Sequence, residues 1–221
     1  MGGRLIVFEG VEGSGKTTQL QRSHGWLLAS GLLDLSGDFS NKTPVVVTRE
    51  PGGTSLGVEL RQLLLGETDS PLYNRTELLL YAADRAQHIE EFIKPQLAKG
   101  AIILCDRYTD STIAYQGYGR GLDLALIEQL NQVATGGLES DLTLWLDVNA
   151  ETGLKRARQR GAADRMEQAE LAFHQRVEQG FAKLALSYPD RIVRIDASQD
   201  EDAVQLVIRD VLRQRFNPLP H

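Results

Sequence analysis

The sequence predicts an α/β protein in which a parallel five-stranded sheet carries helices on both faces. Two observations lead to this prediction: short β-branched apolar runs alternate with helical patterns along the 221 residues, and a glycine-rich motif follows the first of those runs. Strands separated by helices join through right-handed crossovers, which place them parallel in one sheet. The motif favours the P-loop type of this architecture.

Five segments are predicted to be the strands of this sheet. They are RLIVFEG at 4–10, TPVVVTRE at 43–50, AIILCDR at 101–107, LTLWLDV at 142–148 and RIVRIDA at 191–197. Most are nearly continuous in apolar residues, as strands covered on both faces are. Ligands in such folds bind beyond the carboxyl ends of the strands, where Glu9, Arg49, Asp106 and Asp147 are expected to lie.

The segments between the strands show helical spacing of apolar residues. Ile89, Phe92, Ile93 and Leu97 are one example, and Gly100 is expected to end that helix. The polar segment 34–43 is predicted to be a solvent loop, with no role assigned. We expect a single domain over residues 1–221 with a short mobile lid at about 153–165.

Composition limits the classes of partner. The net charge of −6 does not favour nucleic-acid binding, and no apolar run approaches the length of a membrane helix. The N-terminus lacks a signal-peptide pattern. Cys105 is the only cysteine and is expected to be an inert buried thiol, while the four histidines show no metal-ligand spacing. We therefore expect a cytoplasmic protein with neither a nucleic-acid nor a membrane partner.

The stretch Gly10–Thr17 matches G-x-x-x-x-G-K-[ST] between a predicted strand and a predicted helix, which is the context that the motif requires. Backbone N–H groups of such a loop surround phosphate oxygens. We predict that Lys16 bridges the β- and γ-phosphates and that Thr17 ligates Mg²⁺. The predicted ATP-binding residues are Gly10, Val11, Glu12, Gly13, Ser14, Gly15, Lys16, Thr17 and Thr18.

Three classes of nucleotide-binding protein contain this motif: GTPases, motor ATPases and kinases. A GTPase needs D-x-x-G and N-K-x-D, but Asp34–Gly37 and Asn41–Lys42 share one short loop, and Pro44 stands where the second motif needs Asp. A motor ATPase needs a strand ending in Asp-Glu, whereas Arg107 occupies the Glu position. A nucleotide switch without kinase turnover remains an alternative to a kinase.

A kinase for a small phosphorylated acceptor fits the arginines best. A phosphate acceptor oxygen is already ionised, so the chemistry needs positive charge more than a base. Clustered guanidinium groups suit polyanions because of their planar fork of donors. The arginines in question are Arg49, Arg61, Arg85, Arg107, Arg156, Arg158, Arg160 and Arg165.

Five successive motifs resemble the bacterial thymidylate kinase family over nearly the whole chain. They are FEGVEGSGKTTQ, TREPGGT, TELLLYAADRAQH, DRYTDSTIAYQG and GLKRARQRGAADRME. The resemblance implies transfer of a phosphoryl group from ATP to dTMP with Mg²⁺, giving dTDP for dTTP synthesis, in a homodimer. The identity of the substrate depends on this resemblance.

The resemblance also implies roles for individual residues. Arg107 and Arg61 are expected to hold the acceptor phosphate, and Arg49 belongs to the same substrate site. Glu12 is expected near the sugar 3′-hydroxyl, with Tyr115 near C2′. The residues implied to contact the thymine base are Tyr81, Arg85, Ser111 and Gln116. Packing in the core remains open for Tyr81 and Tyr115, and a helix cap for Ser111.

Some family members have an arginine in the phosphate loop at the position of Gly13, and those without it have one in the lid. Arg160 is the expected lid arginine and is grouped with Lys16 and Arg107 as catalytic. Asp106 is expected either to hold Mg²⁺ through water or to orient Arg107. The Glu50–Pro51 bond is one that the family often has in the cis form, and the backbone at 196–198 is expected near the adenine ring.

Overall fold

The computed structural model describes residues 2–30, 32, 43–66, 70–159 and 165–216, and they form the predicted α/β architecture. The strands are β1 (Arg4–Glu9), β2 (Val45–Arg49), β3 (Ile102–Asp106), β4 (Leu142–Asp147) and β5 (Ile192–Asp196). Each predicted strand is confirmed to within two residues at either end.

The five strands pair in parallel in the order β2-β3-β1-β4-β5. From β1 the chain crosses to β2 on one side, returns to β3 and then crosses to β4 on the other side. The direction of the connections therefore reverses around β1. Ligands of parallel sheets bind beyond the carboxyl ends of the strands at such a reversal, which here is the end of β1 at Glu9.

Helices connect the strands within the described ranges. They are α1 (Lys16–Ala29), α2 (Ser55–Leu65), α3 (Asn74–His88), α4 (Lys94–Ala98), α5 (Thr109–Thr112), α6 (Leu124–Thr135), α7 (Ala150–Arg158), α8 (Leu171–Ser187) and α9 (Glu201–Phe216). Two π-helical segments interrupt this pattern: Ile89–Ile93 joins α3 to α4, and Ile113–Gly119 continues α5. Among the described helices, none combines the length and the apolar character that crossing a bilayer requires.

Alternate residues of β1 pack on opposite faces of the sheet. Ile6 and Phe8 belong to one buried cluster with residues of α1, α8 and α9. Leu5 and Val7 belong to a second cluster with Ile89 and its neighbours in the π-helical segment. Both faces of β1 are covered, which is why the residues between its ends are apolar. The polar residue Glu9 stands at its carboxyl end, where ligands of parallel sheets bind.

Several predictions fall on residues outside the described ranges. The candidate GTPase motifs at 34–37 and 41–42, most of the predicted loop 34–43, and Arg160 of the predicted lid all lie there. Of the predicted lid at 153–165, the structure describes helix α7 and the segment beginning at Arg165.

Candidate active site

The phosphate loop is shaped by glycines in the left-handed region between β1 and α1. Gly10, Gly13 and Gly15 have φ values of 141°, 70° and 90°. At Gly13 a Cβ atom would lie 2.0 Å from the carbonyl oxygen of Gly153 in α7, and a Cβ atom on Gly153 would lie 2.3 Å from the carbonyl oxygen of Glu12. The absence of side chains at both positions therefore lets α7 pack backbone to backbone against the loop.

Lys16 lies inside this loop. Its Nζ donates to the carbonyl oxygens of Gly10 and Val11 at 3.0 and 2.9 Å. Burial and the nearby Arg107 guanidinium lower the pKa of Lys16 to about 8. Some of the free energy lost by burying the ammonium would be regained on contact with phosphate oxygens, so the loop favours an anionic ligand.

Arg107 follows β3 and points back over the phosphate loop. Its Nη1 donates to the carbonyl of Gly10 at 3.2 Å and to Ser111 Oγ at 3.1 Å, while Nη2 donates to Glu12 Oε1 at 2.7 Å. The guanidinium also lies over the Tyr115 ring, 4.8 Å from its centroid. Neighbouring carboxylates and Tyr115 outweigh the effect of burial and raise the pKa of Arg107 well above its ordinary value.

Glu12 and Tyr115 form the wall beside Arg107. The Tyr115 hydroxyl donates to Glu12 Oε2 at 2.5 Å and accepts from Arg107 Nη2 at 3.0 Å. Although burial opposes ionisation, the cationic Arg107 and Lys16 lower the pKa of Glu12. The two residues that the family resemblance assigns to the sugar are thus in direct contact.

Glu9 lies beneath this wall, at the end of β1, and is fully buried. It accepts hydrogen bonds from the backbone N–H of Tyr108 at 2.8 Å and from the Ser111 hydroxyl at 2.6 Å. Burial, together with the nearby Asp110 carboxylate, raises the pKa of Glu9 to about 7. The carboxyl group thereby fixes the turn that carries Arg107.

Two further guanidinium groups face the same cavity from β2 and α2. Arg49 ends β2, and Arg61 of α2 donates from Nη1 to the carbonyl of Pro51 at 3.0 Å. Burial and the proximity of Arg49 lower the pKa of Arg61. A bound anion would relieve this repulsion, so the group suits a phosphate. The adjoining Glu50–Pro51 peptide bond is cis.

Arg85 on α3 is fully buried behind the cavity. Its Nε donates to Glu50 Oε2 at 2.7 Å, Nη1 to Thr112 Oγ1 and Asn131 Oδ1 at 2.9 and 2.8 Å, and Nη2 to the carbonyl of Tyr108 at 2.9 Å. These bonds use four of its five N–H donors. The guanidinium is held rigidly at the cavity wall, with one N–H left for a ligand.

Glu50 in turn accepts from His88. The His88 ring lies 2.9 Å from Glu50 Oε1 through Nδ1 and 2.6 Å from Thr48 Oγ1 through Nε2. A buried chain of polar contacts therefore runs from β2 through His88 and Glu50 to Arg85. Such a chain restricts the orientation of the terminal guanidinium.

Tyr81 and Gln116 complete the part of the cavity assigned to the base. The Tyr81 ring lines the cavity. Burial raises the pKa of its hydroxyl, so the phenol is neutral. Gln116 is buried, and its Nε2 donates to Glu77 Oε1 at 2.8 Å.

Thr17 and Asp106 meet at the start of α1. The Thr17 hydroxyl donates to Asp106 Oδ2 at 2.8 Å. Oxygen donors of this kind are what Mg²⁺ takes, usually one or two from the protein with the remainder from water and phosphate. Within the described ranges, no cluster of three or more His, Cys, Asp or Glu side chains is arranged to hold a metal by itself.

One cavity of about 260 Å³ gathers most of the predicted site residues. The predicted residues that line it are Glu12, Gly13, Gly15, Lys16, Thr17, Thr18, Arg49, Arg61, Tyr81, Arg85, Asp106, Arg107, Ser111, Tyr115 and Gln116. Gly10, Val11 and Ser14 belong to the loop without lining the cavity, and Arg160 lies outside the described residues. Ala197 and Ser198, expected near adenine, accept hydrogen bonds from Arg156 through their carbonyls at 3.0 and 3.4 Å.

Sequence reasoning missed the buried partners of these residues. Glu9, Glu50, Glu77 and His88 orient the cavity-lining side chains but were not predicted to belong to the site. Glu9 was placed at a strand end, which is a partial signal because charged residues at that position face the ligand edge. The other three are recognisable only through partners distant in the chain.

The fold and the site together define a P-loop kinase of the nucleoside-monophosphate class. A family model described as thymidylate kinase matches residues 8–208, so the chain belongs to the thymidylate kinase family. It is 60% identical to a thymidylate kinase of Nostoc punctiforme, with 100% of both chains covered. It is 52% identical to one of Gloeobacter violaceus, covering 94% of this chain and 93% of that relative.

A solved structure agrees with these sequence relationships. The thymidylate kinase of Ehrlichia chaffeensis matches with a TM-score of 0.72 at 38% identity, over 96% of this chain and 100% of that chain. The family and fold class predicted from the sequence are thereby confirmed.

Proposed function

We propose that this chain transfers the γ-phosphoryl group of ATP to dTMP and produces dTDP for the synthesis of dTTP. The observation that carries the proposal is the position of Arg107, which bonds both to the phosphate loop at Gly10 and to the Glu12 and Tyr115 wall. A guanidinium at that junction meets both the donor phosphates and the acceptor phosphate. Membership of the thymidylate kinase family supports the choice of dTMP.

The chemistry requires charge and alignment rather than a base. The acceptor phosphate oxygen is already ionised, and the protein must hold two polyanions in line. Lys16 and Arg107, which both donate to the carbonyl oxygen of Gly10, supply positive charge to the transferring group. Arg49 and Arg61 hold the acceptor phosphate, and burial from water strengthens each of these interactions.

Mg²⁺ fits the oxygen pair formed by Thr17 and Asp106. The Thr17 hydroxyl bonds to Asp106 through its hydrogen, which leaves oxygen lone pairs on both side chains for the ion or its waters. The bound ion would neutralise charge on the β- and γ-phosphates. We assign the first contact to Thr17 and a water-mediated one to Asp106.

The acceptor pocket divides into a sugar part and a base part. Glu12 accepts from the 3′-hydroxyl, and the Tyr115 ring fills the space beside C2′, so a ribose hydroxyl would collide with it. Tyr81 stacks on the base, while Arg85, Ser111 and Gln116 contact its polar edges. The contact of Glu12 with Tyr115 supports their shared assignment to the sugar.

The chain is proposed to act as a single-domain kinase in a homodimer, with the lid at about 153–165 closing over the phosphates. Exposed apolar side chains on adjacent helices support the dimer: Val58 and Leu63 of α2, Leu79 of α3, and Leu126 and Val133 of α6. Placement in the cytoplasm remains a prediction that cell fractionation tests.

A coupled assay with ATP and Mg²⁺ tests the proposed reaction on a panel of dTMP, dUMP, dCMP, AMP and CMP. We expect dTMP to give the highest kcat/KM and GTP to replace ATP poorly. Preference for another acceptor would overturn the substrate, and absence of transfer to every acceptor would overturn the kinase assignment.

A further inference from the structure

Glu77 lies in the first turn of α3 behind the base part of the cavity and is fully buried. Three side chains converge on its carboxylate: Gln116 Nε2 contacts Oε1 at 2.8 Å, Arg165 Nη2 contacts Oε2 at 2.6 Å, and Arg120 contacts both oxygens, Oε1 through Nε and Oε2 through Nη2, each at 3.3 Å. Gln116 lines the cavity, whereas Glu77 does not. Glu77 therefore acts on a ligand only through one of these neighbours.

The arginines restrict the position of the Glu77 carboxylate. Arg120 stacks over the Phe173 ring at 4.5 Å, and Arg165 Nε donates to the carbonyl of Leu64 at 2.7 Å. Each guanidinium is thus anchored at a second point. The carboxylate between them has little freedom to turn.

A carboxylate accepts hydrogen bonds and cannot donate them, so the end of the Gln116 amide that faces Glu77 must be the NH₂ group. The amide oxygen is then the end left for the cavity. We propose that Glu77 is a positioning residue that fixes this orientation and thereby makes the site select a base carrying a ring N–H at that edge. This inference rests on the proposed function.

The selected pattern follows from the chemistry of pyrimidines. Thymine and uracil present an N3–H donor beside a 4-carbonyl acceptor, whereas cytosine presents an N3 acceptor beside a 4-amino donor. The Gln116 oxygen accepts from N3–H, and the remaining N–H of Arg85 donates to the 4-carbonyl. Cytosine would set acceptor against acceptor and donor against donor.

Glu77→Gln tests the proposal because it retains the size of the side chain. Two guanidinium groups meet at Oε2, whereas only one guanidinium N–H lies beside Gln116 at Oε1, so the new amide oxygen takes the Oε2 position and the new NH₂ group turns to Gln116. Gln116 must then rotate and present its own NH₂ group to the cavity. We expect the ratio of kcat/KM for dTMP over dCMP to fall by about tenfold or more, with a rise for dCMP, because mispaired buried polar groups dominate such discrimination.

A swapped pair provides the rescue. In Glu77→Gln with Gln116→Glu, the new amide donates to the new carboxylate, whose second oxygen faces the cavity as an acceptor, and the charge beside the arginines is kept. We expect this double variant to recover preference for dTMP relative to Glu77→Gln. Arg120→Gln is the matched control, since it weakens the cluster but leaves the bond from Gln116 to Glu77 in place, and it should not change the ratio.

The outcomes separate this inference from the proposed function. If the wild-type protein transfers no phosphoryl group to dTMP, the proposed function fails. If it does so and folded Glu77→Gln keeps the wild-type ratio, or Arg120→Gln lowers the ratio equally, the role of Glu77 is refuted. Should Glu77→Gln fail to fold, the double variant decides: dTMP preference supports the inference, and dCMP preference overturns it.

Discussion

Arg107 occupies a backbone conformation that L-residues rarely adopt, with a φ of 73°. Such a conformation costs roughly 1–3 kcal/mol at a non-glycine residue and persists where surrounding contacts enforce it. The bonds that Glu9 accepts from Tyr108 and Ser111, on either side of the following turn, are those contacts. In this backbone conformation the Arg107 side chain turns back over the phosphate loop and reaches the carbonyl of Gly10.

Removal of the Lys16 ammonium should abolish most turnover without unfolding the protein. We expect Lys16→Ala to lower kcat by at least about a hundredfold, because the charge acts on the transferring group. The thermal unfolding midpoint should stay close to that of wild type, since burial of the ammonium disfavours the charged form. Lys99→Ala, on the surface, is the control. Loss of cooperative unfolding in Lys16→Ala alone would make the lysine structural.

The raised pKa of Glu9 predicts how stability depends on pH. The folded protein keeps the Glu9 proton up to a pKa of about 7, whereas the unfolded chain releases it near 4.5. The native state therefore binds more protons between these values, so this group lowers the free energy of unfolding as pH rises from about 4.5 to about 7. The difference in pKa corresponds to a change of roughly 3–4 kcal/mol at most.

Glu9→Gln removes the titrating group and keeps its size. The difference in free energy of unfolding between Glu9→Gln and wild type should shift in favour of the variant as pH rises across that window, and stay level above it. Urea unfolding at pH 5, 6, 7 and 8 measures this. A constant difference at all four pH values would show that Glu9 does not titrate there.

The hydroxyl and the ring of Tyr115 have separable effects. Tyr115→Ala should open space beside C2′ and reduce the preference for dTMP over ribothymidine monophosphate by about ten- to a hundredfold. Tyr115→Phe keeps the ring and removes only the bonds to Glu12 and Arg107, so it should keep the sugar preference and lower kcat. Equal sugar preference in both variants and wild type would refute steric exclusion.

Residues whose roles come from local motifs were predictable from the sequence. The positions of Lys16 and Thr17 follow from the loop that contains them, and both line the cavity. Glu50 and Glu77 were not predictable, because their partners lie 35 and 39 positions away along the chain. In the sequence, a buried carboxylate resembles a surface residue until its partners are known.

At the scale of elements, α7 connects the phosphate loop to the predicted lid. Close backbone packing of Gly153 against Glu12 and Gly13 fixes the start of this helix. The predicted lid at 153–165 therefore begins within a helix whose first turns pack on the phosphate loop.

Arg160 remains the predicted lid arginine. We expect Arg160→Ala to lower kcat by about a thousandfold while ATP and dTMP affinities change little, because an arginine acting in cis on a transferring phosphate works in the transition state. Arg160→Lys should recover part of the loss. Arg158→Ala is the matched control on α7. If kcat falls further in Arg158→Ala than in Arg160→Ala, the assignment of Arg160 as the lid arginine is wrong.

The π-helical segments show where element prediction failed. All five strands could be predicted because an apolar run between polar ends is a local signal. The segment Ile113–Gly119 could not, since its wide turn shows only in bonds such as that from Arg120 N to Tyr115 O at 2.9 Å. This turn brings both Tyr115 and Gln116 to the cavity, and π-bulges commonly lie at functional sites.

At the scale of the molecule, the exposed apolar side chains of α2, α3 and α6 form the face that we propose for the homodimer. Val133 is 80% exposed on α6, and Leu186 is 82% exposed on α8. We expect Val133→Glu to shift the protein toward monomer in light scattering, because a charge would be buried without a partner. Leu186→Glu is a control of equal exposure and should stay dimeric. If both Val133→Glu and Leu186→Glu dissociate the protein, or if neither does, the assignment of this face to the dimer is refuted.

The contact between Gly13 and Gly153 limits how enzymes of this kind diverge. An arginine at Gly13 would need a left-handed backbone and a Cβ atom 2.0 Å from the Gly153 carbonyl, so Gly13→Arg cannot compensate for loss of Arg160 in this backbone. A side chain at this position would require α7 to lie further from the loop, and that shift would give up the backbone packing of Gly153 against Glu12. An arginine in the loop and this close seat of α7 are therefore mutually exclusive.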